Sequence, residues 1–84
     1  MSNKPTVDTF AFNWQVYRLT KEGGEIEEVV ALADHFDVAS AAFEAAIRAK
    51  SHAVLQLRNC SRVVRTAATG AYDGEKVEVL WRKD

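Results

Sequence analysis

The sequence predicts an α+β domain of order β-β-α-β-β-β, a largely antiparallel five-stranded sheet with one helix packed on one face. Three observations predict it. Apolar residues alternate through "TFAFNWQVYRLT" and again through "KVEVLWRK", the period of a strand with one buried face. The stretch "HFDVASAAFEAAIRAKSH" alone combines alanine richness with helical spacing of its large apolar residues. Gly23-Gly24 and Asp73-Gly74 punctuate the chain as hairpin signals, because glycine takes positive φ without strain.

The first strand runs from Thr9, with Phe10, Phe12, Trp14 and Val16 on one phase and Ala11, Asn13 and Gln15 between them. Tyr17 and Leu19 then place apolar side chains on the opposite phase, which implies a bulge or a second covered face. After the "KEGGE" loop the segment "EIEEVVALADHF" has the Glu and Ala content of a helix, yet Ile26, Val29 and Val30 are β-branched and a hairpin needs a returning strand. The strand assignment, Glu25 to Ala33, follows.

The helix is predicted from Asp37 to Lys50, with the Asp37 carboxylate as its N-cap. Ala39, Phe43, Ala46 and Ile47 share one stripe; Glu44 and Arg48 lie outside it at the i,i+4 spacing of an ion pair. "AVLQLRN", "RVVRTAA" and "KVEVLWRK" supply three further strands. In the last, Val77, Val79 and Trp81 face inward by strict alternation, and Glu78, Leu80 and Arg82 face the other way.

A helix of about four turns spans roughly 20 Å and cannot cover both faces of five strands. The uncovered face carries, by this phasing, Asn13, Gln15, Tyr17, Leu19, Gln56, Arg58, Glu78, Leu80 and Arg82, with Arg65 beside them.

At 84 residues the chain is a single domain, residues 1 to 8 forming a frayed start, and its core is thin. A hydrophobic fraction of 48% and a charged fraction of 27% are those of a folded globular protein. The formal charge of −1 conceals an asymmetry: residues 1–42 hold three basic and seven acidic groups, net −4, and residues 43–84 hold eight basic and five acidic, net +3. Such halves attract each other within one fold, or present a basic face to a partner. The single cysteine, Cys60, forms no internal disulfide, and no apolar run reaches signal-peptide or bilayer-spanning length. These features point to a soluble, cytoplasmic protein.

Chemistry finds little purchase. His35 and His52 flank the helix at opposite ends, too far apart to share a metal ion, and Cys60 adds no cluster of ligands at zinc spacing. Cys60 stands between Arg58 and Arg62, charges that raise thiol reactivity, but no base is placed beside it. "EIEE" reads as a solvated acidic strand face, and phosphate-loop, nucleophile-elbow and metalloprotease motifs are missing from the chain. The expectation is therefore a non-enzyme without cofactor or metal.

Two binding readings remain. The first is a protein-interaction module, self-associating or docking on a protein partner through the open face or edge, with Tyr17, Leu19 and Leu80 as its apolar centre. The second is weak single-stranded nucleic-acid binding through Arg58, Arg62, Arg65, Arg82 and Lys83. A pI near 6.1 and the core-like phase of Phe10, Phe12 and Trp14 rank it below the first.

Overall fold

A computed structural model describes residues 12–22 and 24–84. The expected fraying of residues 1 to 8, the predicted strand start at 9 to 11 and Gly23 lie outside the described residues; Phe12 and Asn13, also predicted as strand, precede the observed strand as an exposed bend. Element order is β1 (Trp14–Leu19), β2 (Ile26–Ala33), α1 (Phe36–Ala49), β3 (Val54–Asn59), β4 (Arg62–Tyr72) and β5 (Val77–Lys83). The five strands form one antiparallel sheet in the order β2-β1-β3-β4-β5, the β-β-α-β-β-β arrangement that the sequence predicts.

The hairpin loops behave as their residues require. Between β1 and β2, Thr20 donates its N–H to the Glu25 carbonyl at 2.8 Å, and Gly24 turns the chain at φ +67°. Between β4 and β5, Asp73 Oδ1 accepts from the amides of Glu75 and Lys76, both at 2.9 Å, while Gly74 takes φ +99°. Those two amide donors hold the Asp73 carboxyl below its usual pKa. Segment 26–33 is a strand throughout: its β-branched residues and the returning hairpin outweigh its helical composition.

The helix starts one residue earlier than its predicted cap. His35 occupies the N-cap position without a side-chain hydrogen bond, and Asp37 stands inside the first turn, where its charge still meets the positive end of the helix dipole. The buried residues of α1 are Ala39, Phe43, Ala46 and Ile47, the predicted stripe. They pack on Val16, Ala33, Leu55, Leu57 and Ala67, which come from β1 to β4. Trp14 joins the margin of this core, its ring 5.0 Å from that of Phe36. Thr69 ties the end of α1 to β4: its hydroxyl donates to the Lys50 carbonyl at 2.6 Å and accepts the Ala53 N–H at 2.9 Å.

Glu44 does not rely on Arg48. Its carboxylate takes both ends of the Arg82 guanidinium, at 3.0 and 2.6 Å, a two-point contact from helix to β5. Among the described residues no helix is long and apolar enough to cross a membrane.

Candidate interaction surface

Cross-strand partners share a face of the sheet, so the register sorts every side chain. The helix face is marked by the row Arg18, Leu55, Ala67 and Arg82, because Leu55 and Ala67 belong to the core beneath α1. On the opposite face one row crosses the whole sheet: Ile26, Leu19, Val54, Ala68 and Trp81, every member apolar. The neighbouring row is Val29, Tyr17, Gln56, Thr66 and Lys83.

The register corrects the predicted phase of β5. Thr69 pairs with Val79 but Ala68 pairs with Trp81, so Leu80 is an extra residue, a β-bulge. Before the bulge, Val77 and Val79 line a cleft with Ile47 under the helix. Glu78 and Leu80 point the other way, both reaching the space beside the Gly70 Cα. After it, Trp81 stays on the open face with Leu80, and Arg82 turns under the sheet toward Glu44, its guanidinium 5.9 Å from the centre of the Phe43 ring. Trp81 therefore does not face inward and Arg82 does not face outward, contrary to simple alternation. Four side chains of one strand, Glu78, Leu80, Trp81 and Lys83, share the open face.

Tyr17 and Leu19 occupy the predicted face, but they are only 2% and 6% exposed, and Gln15 and Ala68 beside them are buried too, so this face is not, as the sequence predicts, uncovered at its centre but is exposed along its edge strands β2 and β5. The Arg58 guanidinium stacks 5.1 Å from the centre of the Tyr17 ring and bonds to Gln56 Oε1 at 2.8 Å. Leu80, by contrast, is 57% exposed, and Trp81 beside it 49%. Of the predicted apolar centre only Leu80 is accessible. Trp81 is the residue that sequence reasoning missed, since with Val79, Leu80 and Trp81 all apolar nothing in the pattern marks where the phase slips.

The predicted cations do not converge. Arg65 belongs to the helix face: it donates to Ser40 Oγ at 2.8 Å, lies 5.2 Å from the centre of the Phe36 ring and stands 3.8 Å from Asp84. Arg82 is held by Glu44, which raises its pKa while the Arg82 hydrogen bonds lower that of Glu44. Arg62 pairs with Asn59 at the β3–β4 turn, leaving Arg58 and Lys83 on the open face. That turn also carries Cys60 at φ +56°, its N–H bonded to the Asn13 carbonyl at 3.1 Å. Among the described residues no three His, Cys, Asp or Glu side chains gather where a metal ion could be held.

No family model, no curated protein and no solved structure matches the chain.

Proposed function

We propose that the chain is a non-catalytic protein-interaction module that binds a protein through the open sheet face along the β5 edge. The observation that carries the reading is the pair Leu80 and Trp81, consecutive in sequence, both about half exposed and both on the face away from the helix. Strict alternation would send one of two neighbouring residues to the helix side; a bulge that keeps both on the other face supports a contact surface, because bulges re-aim side chains where a strand is used for more than pairing. An aromatic side chain beside an aliphatic one, with charges around them, has the composition of an interface core and rim. The non-catalytic part of the reading rests on size, since a chain of 84 residues has little structure left over to wall a deep pocket. The lone thiol of Cys60 supports a reducing, cytoplasmic setting.

A photo-crosslinking amino acid placed at position 80, and in a control at the exposed helix position 41, tests the reading in the native cell. A discrete adduct is expected from position 80 and not from position 41. Equal labelling from both positions, or none from position 80, overturns it. Titration with labelled single-stranded oligonucleotides tests the nucleic-acid alternative: submicromolar affinity at physiological salt, lost in Arg58→Glu, would put that reading first.

A further inference from the structure

We propose that the partner of this surface is a second copy of the chain, packed face to face about a two-fold axis that passes between Leu80 and Trp81. The inference rests on the interaction-module reading and adds to it the identity of the partner and the register of the contact.

The argument is one of symmetry. A two-fold contact brings the same patch together from both copies, so the patch has to complement its own reversed image. Along the open face of β5 the side chains are Glu78, Leu80, Trp81 and Lys83 in that order, an acid and a base flanking two apolar residues. Reversal about the point between Leu80 and Trp81 puts Leu80 on the second copy's Trp81, and Glu78 opposite its Lys83. Each copy thus contributes one acid and one base, two oppositely charged pairs form across the axis, and no like charges meet.

The bulge makes this pattern. Under strict alternation Lys83 would fall on the face opposite Glu78, and no such reversal would exist. The charges are also at liberty to pair outside the chain, for among the described residues no ion pair engages Glu78 or Lys83. The other edge of the sheet lacks this property. Ile26 and Val29 of β2 are 49% and 45% exposed, but β2 carries no basic residue and its Glu27 and Glu28 are engaged by Arg18 and Lys50, so reversal there brings no acid opposite a base.

One strand face from each copy is small beside the roughly 800 Å² per partner of a standard interface, which places the dimer among weak associations. Sedimentation equilibrium of the parent, Glu78→Lys, Lys83→Glu and an equimolar mixture of the two variants tests the register. Both residues are exposed, so the variants keep the fold, which circular dichroism checks. Each single variant sets two like-charge pairs across the axis and weakens its own dimer by about tenfold at low salt, less at high salt. In the mixture every pair is again opposite in sign, and the heterodimer regains parental affinity. A parent that stays monomeric to millimolar concentration overturns the inference, and the adduct at position 80 then contains another protein. A parental dimer abolished by Leu80→Asp but indifferent to both charge variants overturns the register and leaves the surface in place.

Discussion

Phe43→Ala is the sharpest test of how α1 is held. The ring is fully buried, and of its helical neighbours on the stripe Ala39 and Ala46 have no side-chain length with which to fill the space it leaves, while Ile47 is itself held in the core. The opposing side chains, Val16, Leu55 and Leu57, sit on paired central strands and cannot follow either. The substitution therefore loses both the transfer free energy of the ring and the packing around the resulting cavity, about 3–5 kcal/mol. A chain of 84 residues has a total stability of about 4–13 kcal/mol, so a large share of it disappears. Urea unfolding followed by tryptophan fluorescence reads this directly, since Trp14 lies against Phe36 at the start of the helix. With a slope of about 1 kcal/mol per molar urea, the midpoint falls by roughly 3 M or more, or the variant is unfolded without denaturant. Ile47→Val removes one methyl group from the same stripe and costs about 0.5–1.5 kcal/mol, a change the fold survives. A Phe43→Ala midpoint within experimental error of the parent would refute the packing described.

Glu44→Gln removes the charge from the pair with Arg82; because both side chains are about one-third exposed, solvent screening limits the loss to under about 1 kcal/mol at pH 7. The pair holds the Glu44 carboxyl below its ordinary pKa, so its contribution is complete above about pH 4.3 and is lost as pH falls through the lowered value. Parent and variant should converge in acid, and a gap that is the same at pH 7 and pH 2.5 would exclude a charged pair. Thr69→Val takes the hydroxyl from between the Lys50 carbonyl and the Ala53 amide and should cost about 1–3 kcal/mol, with Thr69→Ser close to the parent. Thermal unfolding checks it at about 4–8 °C per kcal/mol, and a Thr69→Val melting temperature equal to that of Thr69→Ser would show that the hydroxyl bears no load.

The helix face was legible because a 3.6-residue period leaves Phe43 and Ile47 on one side whatever the tertiary setting, and the turns at Gly24 and Asp73-Gly74 because their backbone angles restrict the residues that fit. The strand at 26–33 was legible through Ile26, Val29 and Val30 together with its neighbour: its Glu and Ala content is helical, and the β-branched residues and returning hairpin decide. What the residues do not encode is the position of a bulge. In β5 the pairing with β4 shifts where Gly70 brings no side chain and Leu80 leans over it, 3.1 Å from where a Cβ would stand, an event of packing between strands rather than of local propensity. The burial of Tyr17 and Leu19 was half visible in the same way: apolar residues on both phases of β1 do signal two covered faces, but not which residues stay exposed at the margin.

The extra residue in β5 has a bearing on what holds Leu80 in this strand. Removing Leu80 from the written sequence leaves Val79 toward the helix, Trp81 away, Arg82 toward and Lys83 away, the faces those residues already occupy. Leu80 is thus not needed to set these faces: a chain without it would lose the register shift between Ala68 and Thr69, keep the one between Thr69 and Tyr72, and still deliver Arg82 to Glu44. The Leu80 side chain is more than half in solvent. A lineage that keeps such a residue gains little for folding by it, so selection on Leu80 should track what touches it from outside.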